Sequence, residues 1–200
     1  MATSKNPHLI LGVTGASGIY ASKLLQEKSP WPVDLVCSQW GRRVAATECG
    51  SIETLQKGAC RVFENDDLFA PLSSGSVPYV GMVVLPCSSH TFAQIASGSG
   101  DSLITRAAHC QLKERRPLIL CLREAPLTLI DLENARRVSA AGAVVMPVTP
   151  PFFMFAGGDP HKVSMHDVLE AYVQRVHALY GNHSDRDWEH IRSATKICAN

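Results

Sequence analysis

Aromatic residues make up only 6% of the 200 residues, and no basic stripe interleaves with them, since 19 Lys and Arg face 18 Asp and Glu for a formal charge of +1. That balance argues against nucleic acid as the main partner, so any bound anion must be gripped by a few local groups. No pair among the seven cysteines (37, 49, 60, 87, 110, 121, 198) has CxxC spacing, and the histidines form no HxxxH or HExxH array. A protein-built metal site is therefore not expected. An odd cysteine count, with several inside apolar runs such as VDLVCS and LILCL, reads as reduced thiols of a cytoplasmic protein. The opening MATSKNPHLI lacks the apolar core of a signal peptide. Val138 to Gly158 is uncharged for 21 residues, but Pro147, Pro150, Pro151, Gly157 and Gly158 argue against one spanning helix. It reads instead as a buried strand, GAVVMP, leading into an apolar loop, VTPPFFMFAGG. Phe152, Phe153, Met154 and Phe155 in that loop need cover from a subunit interface or a ligand.

A hydrophobic content of 46% suffices for one well-packed domain, and no linker, charge run, repeat or low-complexity stretch divides the chain. The expected organisation is a single domain over residues 1–181 and a polar tail, 182–200, that contacts a neighbouring subunit. Short apolar runs alternate with helix-like segments, the pattern of a doubly wound α/β fold with a parallel sheet, flavodoxin-like or Rossmann-like and three-layered. Strands are predicted at His8–Val13, Val33–Cys37, Arg61–Phe63, Gly81–Leu85, Pro117–Leu122 and Ala143–Met146. Helices are predicted at Ile19–Lys28, Arg42–Cys49, His90–Ala96, Ser102–Lys113, Leu127–Ala141 and Met165–Tyr180.

The loops at the strand ends are small, polar or charged: TGASG, SQWG, PCSSH, REAP and PVTPP. In a parallel sheet these loops share one edge and converge on one crevice. GVTGASG offers backbone N–H groups at a helix start, where a mononucleotide phosphate or a plain turn is equally well served. Its GxxGxxG spacing is not the dinucleotide fingerprint. Ser88, Ser89, His90 and Thr91 supply hydroxyls and N–H groups at a second helix start, with an N-cap as the plainer reading. Cys87 reads as a small buried residue rather than a nucleophile. Arg106 and Lys113, seven apart on one helix face, are able to share a phosphate, although solvation is the commoner fate of such pairs. The run RRPLILCLRE closes a buried strand with Arg123 and Glu124, which a bare structural role does not explain.

Taken together, GVTGASG, CSQWGRRVAATE, SSGS, LPCSSHTFAQIASG, LITRAAHCQLKERRPLILCLREAPL, DLEN and GAVVMPVTPPFF with Arg175 resemble the UbiX/Pad1-type flavin prenyltransferases. The likeness runs from about His8 to Gly181. It implies an FMN-binding flavoprotein domain assembled as a homododecamer of trimers with sites between subunits. It also implies metal-independent transfer of a dimethylallyl group from dimethylallyl phosphate to reduced FMN, at flavin N5 and then C6, with the prenylated FMN passing to a UbiD-type decarboxylase. Carried across by motif, Ala16, Ser17, Gly18, Ser38, Ser88, Ser89, His90, Thr91 and Arg123 contact FMN. Arg106, Lys113, Phe153 and Arg175 face the dimethylallyl phosphate. Ser17, Glu48, Lys113 and Glu124 are the catalytic candidates, with the carboxylates and Ser17 handling flavin protons and the cations stabilising the leaving phosphate.

The chain departs from the family pattern in three places. Phe153 stands where the family has a Tyr; the first helix is short just after the phosphate loop while MFAGGD resembles an insertion beside the phosphate site; and Leu68 stands where some members carry a Trp. Two other functions share much of this reading: a flavin-binding carrier with weak catalysis, and a related flavoprotein decarboxylase. The decarboxylase needs an active-site His and an Asn-Met clamp that are not evident here.

Overall fold

Six parallel strands form one sheet in the computed structural model, which describes residues 7–149 and 160–181. Packing divides the chain into two compact units, Met1–Val148 and Thr149–Asn200. The first unit runs β1 (His8–Val13), α1 (Ile19–Lys28), β2 (Val33–Cys37), α2 (Gln39–Cys49), α3 (Glu53–Gly58), β3 (Arg61–Glu64), a 3-10 helix (Pro71–Ser73), β4 (Tyr79–Cys87), α4 (Ser89–Ser97), α5 (Leu103–Lys113), β5 (Leu118–Leu122), α6 (Leu129–Ala140) and β6 (Val144–Val145). The second contributes a 3-10 helix (Pro160–Lys162) and α7 (Met165–Ala178).

The inner strands are almost wholly apolar, His8 of β1 and the buried Asp34 of β2 excepted, because both faces of the sheet are covered. Ile10, Val36, Met82, Val84, Leu118 and Leu120 cluster with Phe92 and Ile95 of α4, Leu103, Ile104, Ala107 and Ala108 of α5, and Val138 of α6. The alternate residues Leu9, Leu11, Leu35, Val83, Leu85 and Ile119 are equally buried and serve the face contacted by α1 and α3. Each such side chain stabilises the fold by about 1.5–3 kcal/mol on burial.

The strand order is β3-β2-β1-β4-β5-β6. The chain winds outward from β1 to β3, crosses back, and winds the other way from β4. The reversal lies between β1 and β4, so the carboxyl ends of these strands diverge and open a crevice. Gly41 lets α2 press against that edge. A Cβ there would lie 2.7 Å from the Val13 carbonyl oxygen.

Most predicted elements are present with shifted ends. α2 begins at Gln39, three residues before the predicted start, because Ser38 caps it by accepting from the Gly41 amide at 3.0 Å. β4 reaches Cys87, which pairs with Leu122 beyond a register shift after Val84, so Pro86 sits at an irregularity that needs no donor. The short α3 was not predicted; it buries only Leu55, too little for a periodic signal. No helix among the described residues is long and apolar enough to cross a membrane.

Candidate active site

A cavity of about 450 Å³ occupies the crevice, lined by Gly15, Ser38, Gln39, Trp40, Asn65, Ser88, His90, Thr91, Gln94, Ser102 and Ile104. Three helix N-termini reach it. α5 has its first amides already satisfied: Asn65 accepts from Leu103 through its carbonyl at 2.7 Å and from Ile104 through its side chain at 3.1 Å, and Ser102 caps Thr105. α2 and α4 differ. Ser38 and Ser88 cap Gly41 and Thr91, while the amides of Gln39, Trp40, Ser89 and His90 make no hydrogen bond among the described residues. Two helix dipoles with open N–H groups thus flank the end of β1, an arrangement suited to a phosphate.

Thr14 joins the two sides. Its hydroxyl donates to the Pro86 carbonyl at 2.8 Å and accepts from the Ser88 amide at 2.8 Å. The Arg123 amide donates to the Cys87 carbonyl at 3.0 Å, which keeps the end of β5 beside that of β4. Ala16, Ser17 and Gly18 lie half-buried in the turn leading into α1, where Gly18 takes a φ of 107° that only glycine adopts readily.

Both candidate carboxylates reach this edge. Glu48, on α2, accepts from the Gly18 amide with both oxygens, at 3.1 and 3.0 Å, and from the Ile19 amide at 2.9 Å. The N-terminus of α1 therefore already holds an anion. Glu124 lies just past β5, accepting from the Ser89 hydroxyl at 3.1 Å and the Ala125 amide at 3.1 Å.

Arg106 and Lys113 lie elsewhere. With His109 they form an exposed stripe on α5, opposite the buried Ile104, Ala107, Ala108 and Cys110. Arg106 donates to the Ser73 carbonyl at 3.3 Å, and Lys113 pairs with Glu114 at 2.5 Å. Lys113 ends α5 on the way to the amino end of β5, about 15 Å of helix from the crevice level. A second cavity of about 450 Å³ borders this stripe, lined by Ser99, Thr105, His109, Lys113 and Ala141 among others. Arg175 is exposed on α7, away from that helix's buried Val168, Tyr172 and Val176. Phe153 and the 182–200 tail lie outside the described residues.

Cys87 is fully buried, and burial pushes its thiol well above the usual range, as its reading as a packing residue requires. Sequence reasoning missed Asn65, Gln94 and Ser102, whose place at the crevice depends on tertiary packing. Gln39 and Trp40 adjoin Ser38 in SQWG and were within reach of the same strand-end argument.

Comparison with known proteins agrees with this geometry. The Flavoprotein family model matches residues 2–177. The flavin prenyltransferase UbiX of Thermoplasma acidophilum is 39% identical over 179 residues, covering 88% of this chain and 96% of its own. The chain belongs to the UbiX flavin prenyltransferases. Among solved structures, AnUbiX (PadA1), crystallised with FMN and dimethylallyl pyrophosphate, superposes with a TM-score of 0.82 at 35% identity, covering 90% of this chain and 94% of its own. A dodecameric FMN-dependent UbiX-like decarboxylase from Escherichia coli O157:H7 superposes with a TM-score of 0.81 at 35% identity, covering 88% and 96%. The UbiX likeness thus spans both the crevice and the α5 stripe.

Proposed function

We propose that the protein is a flavin prenyltransferase that moves a dimethylallyl group from dimethylallyl phosphate to FMN in its reduced form. The observation that carries this reading is the pair of open helix N-termini, α2 and α4, facing one cavity at the sheet's switch point. Four amides with no partner among the described residues, together with the hydroxyls of Ser38, Ser88 and Thr91, suit the phosphate of a mononucleotide. Because Glu48 holds the amides of Gly18 and Ile19, this anion site belongs to α2 and α4 rather than to TGASG, which is left to line the cofactor's remaining edge.

Reduced FMN, when bound, supplies the nucleophilic atoms that accept the prenyl group. The chain's own residues bind, orient and move protons around it. Glu124, kept in place by the Ser89 hydroxyl, exchanges protons at the crevice, as does Ser17 of the turn into α1. Glu48 serves first as the anchor of the α1 turn. Arg106, Lys113 and Arg175 stabilise negative charge on the departing phosphate. Since Arg106 and Lys113 point outward from this subunit's own crevice, they act on the site of a neighbouring copy in a closed oligomer, a dodecamer as in the E. coli O157:H7 relative. The buried thiols of Cys37, Cys87, Cys110 and Cys121 suit the cytoplasm, where the prenylated flavin passes to a UbiD-type decarboxylase.

The test is an anaerobic incubation of purified protein with FMN, dithionite and either dimethylallyl phosphate or the pyrophosphate, and then mass spectrometry of the extracted flavin. A flavin heavier by one C5H8 unit is expected. Bound but unmodified FMN with both donors would replace this reading with that of a flavin carrier.

A further inference from the structure

We infer that Thr14 is a positioning residue for prenyl transfer, the bolt that sets the spacing between the two halves of the flavin site; this rests on the proposed prenyltransferase function. Thr14 comes directly after β1 and is 0% exposed, while its neighbour Gly15 and the facing Ser88 both line the cavity. Its hydroxyl is used twice across the switch point, donating to Pro86 O at 2.8 Å and accepting from Ser88 N at 2.8 Å, and its own amide reaches Pro86 O at 3.3 Å.

The demand for such a bolt comes from the fold. β1 and β4 are adjacent but their succeeding helices pack on opposite faces, so the strand ends separate just where the ligand sits. Pro86 has no N–H to contribute to the ladder, and the β4 register is already irregular there. One hydroxyl that both donates and accepts replaces the missing ladder bonds. The Ser88 amide it fixes belongs to the N-cap of α4, whose hydroxyl accepts from the Thr91 amide at 3.3 Å and contacts the Thr91 hydroxyl at 3.2 Å. Thr14 therefore orients the α4 amides relative to the Gly15–Gly18 turn without touching the ligand. Threonine suits the task because its branched Cβ restricts the hydroxyl to few rotamers.

Thr14→Val keeps the shape and removes both hydroxyl hydrogen bonds, leaving the half-buried Ser88 amide without its Thr14 partner; Thr14→Ser keeps the hydroxyl. Full-length variants are titrated with FMN by flavin fluorescence, unfolded thermally without FMN, and assayed for prenyl transfer at saturating FMN. The expected result is a cooperative unfolding transition in both variants, FMN binding at least tenfold weaker in Thr14→Val, and recovery to within about threefold of wild type in Thr14→Ser. Turnover at saturating FMN should also fall in Thr14→Val, because a misplaced flavin is not repaired by mass action. Equal FMN affinity in Thr14→Val and wild type overturns the proposal, as does a Thr14→Ser variant no better than Thr14→Val. Failure of Thr14→Val to fold, with Thr14→Ser intact, assigns the hydroxyl to stability alone and overturns it too. Wild type that binds no FMN overturns the functional reading itself, a result the variants cannot mimic.

Discussion

Glu48 and Gly18, thirty residues apart, are joined by a carboxylate that receives one backbone amide on both of its oxygens, at 3.1 and 3.0 Å. With the Ile19 amide added at 2.9 Å, the carboxylate sits where the dipole of α1 attracts negative charge. Proton transfer through Glu48 would have to break these bonds, which favours an anchoring role. Glu48→Ala should therefore lower the stability of the FMN-free protein by about 1 kcal/mol, the value of an exposed charge-assisted cap, and weaken FMN binding as well. Urea unfolding and fluorescence titration measure the two. A variant with native stability and FMN affinity but no turnover would return Glu48 to acid–base chemistry.

Asp34 anchors the opposite, amino-terminal edge of the sheet. Its carboxylate is 0% exposed, accepts from Arg61 Nε at 3.0 Å and more closely from the Arg61 terminal nitrogen, and lies 2.8 Å from His8 Nδ1. The Arg61 side chain is itself 43% exposed, so water compensates the guanidinium in part and the loss is chiefly that of charge-assisted hydrogen bonds. Asp34→Asn should cost about 1.5 kcal/mol, lowering Tm by about 3–6 °C for a chain of this size, with FMN affinity retained because the crevice lies at the other end of the strands. A loss of FMN binding greater than the loss of stability would show that the two edges are coupled.

The thiols should separate sharply in reactivity. Burial pushes the Cys37 thiol up to about 12, with Arg42 opposing and Glu64 adding to it; Cys87 is pushed up by burial and by Cys121. Cys60 is exposed. The thiolate is the reacting form, so Cys37 and Cys87 stay protonated and inert at pH 8 and gain reactivity only as pH climbs toward their raised values. Iodoacetamide labelling with peptide mass mapping should find Cys60 modified well before Cys37 or Cys87 in the folded protein. Cys37 alkylated as fast as Cys60 would contradict the buried placement of β2.

The sheet was legible because β1, β2 and β5 are short, mostly apolar runs, β2 broken only by Asp34, that end at Thr14, Ser38 and Arg123, and the crevice was legible in the polar residues that end each run. The destination of each charge was less legible. Glu48 reads as a member of an amphipathic helix, and only the packing of α2 against the α1 turn shows its carboxylate on Gly18. Asn65 gives no signal of its own, since satisfying the start of α5 depends on a contact 39 residues away. Arg106 and Lys113 were grouped correctly by their seven-residue spacing, but periodicity says nothing of which crevice a helix face addresses.

The separation of Lys113 from Glu124 gives the most discriminating prediction. Glu124 stands at the crevice with Ser89, whereas Lys113 is exposed at the far end of α5 beside Glu114. If each reaction centre takes Glu124 from one subunit and Lys113 from the next, Glu124→Gln and Lys113→Leu are separately inactive but complementary. In oligomers co-expressed from both genes with different tags and purified through both, a centre is complete when its own subunit carries native Glu124 and its neighbour native Lys113. Random mixing makes each condition true half the time, so about a quarter of wild-type turnover should return. Each variant alone should remain folded and bind FMN, because neither residue belongs to the apolar core. A doubly tagged oligomer that binds FMN yet stays as inactive as its parents would place both residues at the same subunit's centre, and would require α5 to rearrange so that Lys113 reaches the crevice of its own chain.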